Sequence, residues 1–200
     1  MGSTFGNVFT VLLNTLCSLY VLVLMARFAL HCSQADYFNP VTQGIIRATD
    51  WIVAPLQRVL RPFKRFDSAT LVAAILVKAV TIGVIYLIIF NGIPSIIGLL
   101  LGGAIGAFSA LVKLYFFALI IMIILSWVAP NATHPGALLV TELTEFIMAP
   151  LRRVIPPLGM FDLSPIVAFL IINLIDGFVM PMLLRLAFQF GILPNVIVGF

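Results

Sequence analysis

The chain has 200 residues, of which 62% are hydrophobic and only 9% charged, and its mean hydropathy is +1.22. Soluble domains carry roughly 25% charged residues, so this chain cannot cover a water-facing surface, and the composition leaves an integral membrane protein. The formal net charge of +4 therefore speaks through its placement, which points to anionic lipid headgroups and not to nucleic acid.

In chain order, the first 26 residues carry no charge. Without a basic stretch ahead of the apolar run, a cleaved signal peptide is not expected, and Val8–Leu30 reads as the first span. Ser68–Phe90, Phe108–Ala129 and Ser164–Phe188 are the other segments apolar for about the 20 residues a crossing needs. A helix running from 93 to 129 would be about 55 Å long, too long for a hydrocarbon core of about 30 Å. Pro94 and the run GLLLGGAIGAF are expected to break it. Residues 91–107 then form a Gly-rich re-entrant or interfacial connector between one unit at 8–90 and a second at 108–190. Cys17 and Cys32 make neither a disulfide framework nor a zinc site.

Between the spans, APLQRVLRPFKRFD at 54–67 returns as APLRRVIPPLGMFD at 149–162, an offset of 95 residues. In that register Pro40, Thr49, Ala54, Pro55, Leu56, Arg58, Val59, Pro62, Phe66 and Asp67 match Pro135, Thr144, Ala149, Pro150, Leu151, Arg153, Val154, Pro157, Phe161 and Asp162. An internal repeat of this kind sets the architecture before any other feature. Each unit is a span, an amphipathic segment and a second span.

The amphipathic segments, 41–60 and 136–154, follow a helical period. Ile45, Ile52, Val53, Leu56 and Leu60 share a face opposite Gln43, Arg47, Asp50, Gln57 and Arg58, and Leu139, Leu143, Ile147 and Leu151 oppose Glu142, Glu145, Arg152 and Arg153. Proline inside a helix clashes with the preceding turn, so a break near Val53–Ala54 is expected, with Pro55 opening a new first turn. Such helices lie in the membrane interface, and Arg47, Arg58, Arg61, Lys64, Arg65, Arg152 and Arg153 would meet anionic headgroups there. All seven fall in the two loops that hold these segments, and none falls in 1–7, 91–107 or 189–200. The positive-inside rule then puts both loops in the cytoplasm and both termini outside. At the entries to the second and fourth spans, Asp67 and Asp162 suit a helix N-terminus, and Ser68 and Ser164 are the expected caps.

ARFALHCSQADYFNPVTQGIIRATDWIVAPLQRVLRPFKRFDSA, followed by the APLRRVIPPLGMFDLSP copy, resembles the YggT family of small bacterial inner-membrane proteins across essentially the whole chain. The resemblance implies a multi-pass inner-membrane protein without established enzymatic activity. It also implies loose ties to osmotic tolerance and to envelope or division functions and, through chloroplast relatives, to attaching haem to a b-type cytochrome. DYFNP in the first copy shrinks to THP at 133–135, which confines any role of Asp36, Tyr37 or Asn39 to the first repeat.

No nucleophile–base pairing, phosphate loop or metalloprotease motif is present in the sequence, and no cofactor or metal is expected. His31 and His134 read as interfacial polar residues, with haem ligation the lesser reading. Gly98, Gly102 and Gly106, at four-residue spacing, read as a close helix-packing seam. Among intramembrane ionisable residues, Lys78 and Asp176 stand nearest the middle of their spans. With Thr81 and Asn173 beside them they are expected to meet across a pseudo-two-fold axis. The pair would be a structural ion pair or an ion site. The expectation is thus an all-α, four-span, tandem-repeat membrane protein without catalytic activity. It would act as a scaffold or assembly factor for membrane-protein partners or further copies of itself, with an ion channel or transporter as the rival.

Overall fold

The computed structural model describes residues 2–60, 66–129, 134–154 and 163–198, with side chains from residue 6 onward. Arg61, Lys64, Arg65 and Asp162 lie outside the described residues. Every regular element among the described residues is helical: α1 (Gly2–Ser33), α2 (Pro40–Gln57), α3 (Ser68–Phe90), α4 (Ile96–Val128), α5 (Pro135–Val154), α6 (Ser164–Leu174), a π-helical turn at Ile175–Val179, α7 (Met180–Gln189) and α8 (Pro194–Val198). Four stretches are long and apolar enough to cross a membrane: Gly6–Ser33, Ser68–Phe90, Ile96–Val128 and Ser164–Gln189.

Local chemistry accounts for the ends. Asn39 caps α2 by accepting from the Val41 N–H, with Pro40 in the first turn where its missing donor costs nothing. Asp67, not Ser68, caps α3. Its carboxylate takes the Thr70 N–H at 3.3 Å and the Thr70 hydroxyl at 2.6 Å. Asn91 closes α3 in the left-handed conformation, at φ 50°. Ser164 is likewise not a cap. It is the first residue of α6, buried, and the cap position is Leu163.

The break expected near Val53–Ala54 does not occur. α2 continues through Pro55, and α5 through Pro150. Each proline lies near its helix's end, so it removes a single ladder bond, to the carbonyl of residue 51 or 146. Trp51 and Phe146 are both exposed. The Gly-rich run does not break α4 either, and only Pro94 stands before its Ser95 cap. Tertiary packing overrides glycine's low helix propensity there.

Helices α1, α3 and α4 form the core, and α3 packs most closely on α4. A Cβ on Gly106 would stand 2.6 Å from Lys78 Cγ, on Gly102 2.9 Å from Ile82 Cδ1, and on Gly103 2.5 Å from the Ile75 carbonyl oxygen. Gly98 faces the Phe190 carbonyl beyond α7, at 2.9 Å from the same construction. These glycines let α4 approach its neighbours backbone to backbone. The fourth span instead leans on α4 and α5 and is the least buried of the four. Its π-helical turn has a local cause. Pro181 has no N–H to offer the preceding turn, and the ladder widens so that the Met180 N–H reaches the Ile175 carbonyl.

Candidate functional site

Two polar centres lie inside this apolar bundle. The first surrounds Lys78. Its side chain is only 1% exposed, its stem lies against Gly106, and its ammonium donates to Asn14 Oδ1 at 2.9 Å and Ser18 Oγ at 2.7 Å. Asn14 and Ser18 are one helical turn apart on α1 and face the core. The Asn14 amide also donates to the Asn195 carbonyl of α8 at 3.3 Å, which ties the last helix to the cluster. A void of about 10 Å³ adjoins it, lined by Ser18, Lys78, Gly106, Lys113 and Ile197, room for about one water.

The expected Lys78–Asp176 pair does not form. Asp176 is exposed on the fourth span, and Asn173, also exposed, bonds its own helix at the Phe169 carbonyl. Thr81 is buried and bonds the Val77 carbonyl. The charge of Asp176 acts on Lys113 of α4, which turns inward beside Lys78. Spans two and four are not the facing pair, because α4 packs against both and stands between them.

The second centre lies at the end of the bundle that carries α2 and α5. Arg27, deep in α1, donates to the Ile46 carbonyl, to Thr49 Oγ1 at 2.9 Å and to the Asp50 carboxylate at 3.0 Å, and so fastens α2 to the first span. His31 Nδ1 meets the Tyr37 hydroxyl at 2.7 Å. Gln57 turns inward, contrary to its expected place on the outer polar face, and donates to Asp67 at 3.2 Å. Asp67 is only 2% exposed. Burial pushes the Tyr37 phenol above its usual range, the charge of Asp67 adds to that, and Arg27 opposes it. A cavity of about 210 Å³ lies among Arg27, His31, Tyr37, Thr42, Gln57 and Asp67.

The two repeats meet here. Asn39 caps α2 while its amide donates to the Pro135 carbonyl at 2.8 Å, and Glu142 accepts from the Asp36 N–H at 3.2 Å. His134 stands where Asn39 stands in the first copy, and its Nδ1 accepts from the Gly136 N–H at 3.2 Å. Thr49 and Thr144, identical by repeat, are buried and each bonds the carbonyl four residues earlier. Arg47, Arg58 and Arg153 are exposed, and Arg152 pairs with Glu145 at 2.9 Å. No group of three or more metal-ligating side chains occurs among the described residues.

Comparison with known proteins accounts for the duplication. The CCB3/YggT family matches the chain twice, at residues 6–88 and 101–183, so both ends carry the same offset of 95 residues as the internal repeat. An uncharacterized protein of Pseudomonas aeruginosa is 44% identical over 166 residues, covering 82% of this chain and 84% of its own length. An uncharacterized protein of Vibrio alginolyticus is 35% identical, with coverage of 82% and 89%. The YggT protein of Escherichia coli K12 is 30% identical, with coverage of 85% and 88%. No solved structure matches the chain. With two family matches in tandem and four helices able to cross a bilayer, the chain is a multi-pass membrane protein of the CCB3/YggT family.

Proposed function

We propose that the protein is a non-enzymatic scaffold or assembly factor of the bacterial inner membrane, and that the fourth span is the face on which it holds a membrane-protein partner. The observation that carries this is the composition of that face. Asn173, Asp176, Arg185 and Gln189 are exposed on a helix at bilayer depth. Beside them runs an open groove of about 470 Å³ lined by Gly177, Phe178, Pro181, Met182, Arg185 and Leu186. A charge facing hydrocarbon at mid-bilayer costs at least ~2.5–3.5 kcal/mol on insertion scales, and a helix of another membrane protein that brings polar groups to the same depth removes that cost. A single cysteine at Met182, in a background without Cys17 and Cys32, should crosslink to a partner in native membranes. Asp176→Leu with Arg185→Leu should abolish that crosslink at unchanged expression. A crosslink unaffected by the double substitution overturns the reading.

The rival reading, a transporter subunit, draws on the buried Lys78–Asn14–Ser18 cluster. The scaffold is favoured because the void beside that cluster holds about one water. In the proposed orientation both basic loops face the cytoplasm. Single cysteines at Arg47 and Ile93 should then label from opposite sides of sealed vesicles, and labelling of both from one side would reverse that placement.

A further inference from the structure

The cavity at the α2 end is a built polar site that the scaffold reading does not use. Of its lining residues, Arg27, Thr42 and Asp67 are each more than nine-tenths buried. Thr42 Oγ1 and His31 Nε2 are buried there without a hydrogen-bond partner among the described residues. Buried polar atoms without a partner are costly and uncommon, so two on one cavity wall call for an occupant. The remaining capacity has two signs. The Arg27 guanidinium carries more donors than its three bonds to Ile46, Thr49 and Asp50 use. The Asp67 carboxylate accepts from Thr70 and Gln57 only, and has no cation within ion-pair distance among the described residues. Arg27 makes its ion pair with Asp50 instead.

We infer that this cavity binds a small zwitterion, with its ammonium group at Asp67 and its anionic oxygen toward Arg27, and with Thr42 and His31 completing the contacts. The cavity lies where α1 ends and α3 begins, at the level of the headgroups for any bilayer that the two spans cross. The same chemistry is offered there by the phosphoethanolamine headgroup of an aminophospholipid and by a free zwitterion such as phosphoethanolamine itself.

The test uses the full chain purified in mild detergent. Native mass spectrometry reads retention of phosphatidylethanolamine against phosphatidylglycerol, and thermal unfolding is followed with and without free phosphoethanolamine. Asp67→Asn keeps a good helix cap while removing the charge, and Thr42→Val removes the orphaned hydroxyl alone. The expected result for a lipid occupant is selective retention of phosphatidylethanolamine that falls about tenfold in Asp67→Asn, with circular dichroism unchanged. For a free occupant, neither lipid is selected and phosphoethanolamine raises the melting temperature of the wild type but not of Asp67→Asn. If Asp67→Asn does not fold, Thr42→Val is read instead, with a loss of about threefold expected. The inference is overturned if the wild type shows neither lipid selectivity nor a thermal shift, or if the effect survives both substitutions.

Discussion

Gly103→Leu is expected to prevent assembly of the α1–α3–α4 core. Even the first added carbon would stand 2.5 Å from the Ile75 carbonyl oxygen, 3.1 Å from Ala79 Cβ and 3.2 Å from the Ala79 nitrogen. Two of these neighbours are backbone atoms, so nothing can swing aside, and α3 must move bodily off α4. Overpacking of an ordinary core costs about 1–3 kcal/mol, and a clash with main chain falls at or beyond the top of that range. Gly103→Ala should therefore lower the melting temperature in detergent by many degrees, and Gly103→Leu should leave no folded protein to measure. Gly44→Ala is the control. Nothing lies within 4 Å of its added carbon, and relief of glycine's entropy cost within α2 should stabilise by roughly 0.5–1 kcal/mol. Equal stability of Gly103→Ala and wild type would mean that α3 and α4 are not packed at this distance.

The second large effect belongs to Asn14. Asn14→Leu leaves the Lys78 ammonium with Ser18 as its single acceptor among the described residues, in a position 1% exposed. A hydrogen bond to a charged group contributes about 1.5–3 kcal/mol, and the buried ammonium that loses it keeps its desolvation penalty. Asn14→Leu should therefore unfold far more readily than wild type in thermal scans. Lys78→Met added to it should restore most of the loss, since a methionine fills the channel beside Gly106 without a charge. In contrast, Lys78→Met and Asp176→Leu should couple only weakly, through Lys113, because the two residues do not touch. A full-strength Asn14→Leu protein, or strong coupling of Lys78 to Asp176, would contradict this account.

That contrast shows what was legible in the sequence. The second span has the bounds its apolar length gives, although its cap is Asp67 and not Ser68, and Asn91, which closes it in a left-handed turn, carries no apolar-length signal. The tandem repeat and the four spans were legible for the same reason: apolar length and an aligned motif are one-dimensional signals. Lys78 was picked out by its depth, but depth does not name a neighbour, and the sequence reading chose Asp176. The better signal was Thr10, Asn14 and Ser18 on the first span, polar residues at four-residue spacing that mark one face of a helix. Their burial, along with that of Lys78, is what brings the charge and its acceptors together. The breaks expected near Pro55 and at the glycine run rest on local propensity, which a place near the helix end makes cheap to violate at Pro55 and which packing overrides at the glycines. In the sequence Arg27 is only a charge near a span's end. Its hold on Asp50 required the angle between α1 and α2, which no period in the sequence encodes.

The continuity of α4 has a consequence for the membrane around it. Thirty-three residues make a rod of about 50 Å, while α3 beside it, with 23, is about 35 Å. A hydrocarbon slab of about 30 Å can be matched to the shorter rod but not to both when they stand upright. Ile96 and Ile97 at one end of α4, and Trp127 and Val128 at the other, are all exposed. Neither end offers a charged residue to mark where water should begin. The bilayer must then thicken around the longer rod, or the whole bundle must lean, at fractions of a kcal/mol for each ångström of misfit. Acyl-chain length thereby enters the energy of this protein directly, and the glycine seam, which forbids α4 from sliding along α3, transmits that cost to the entire core.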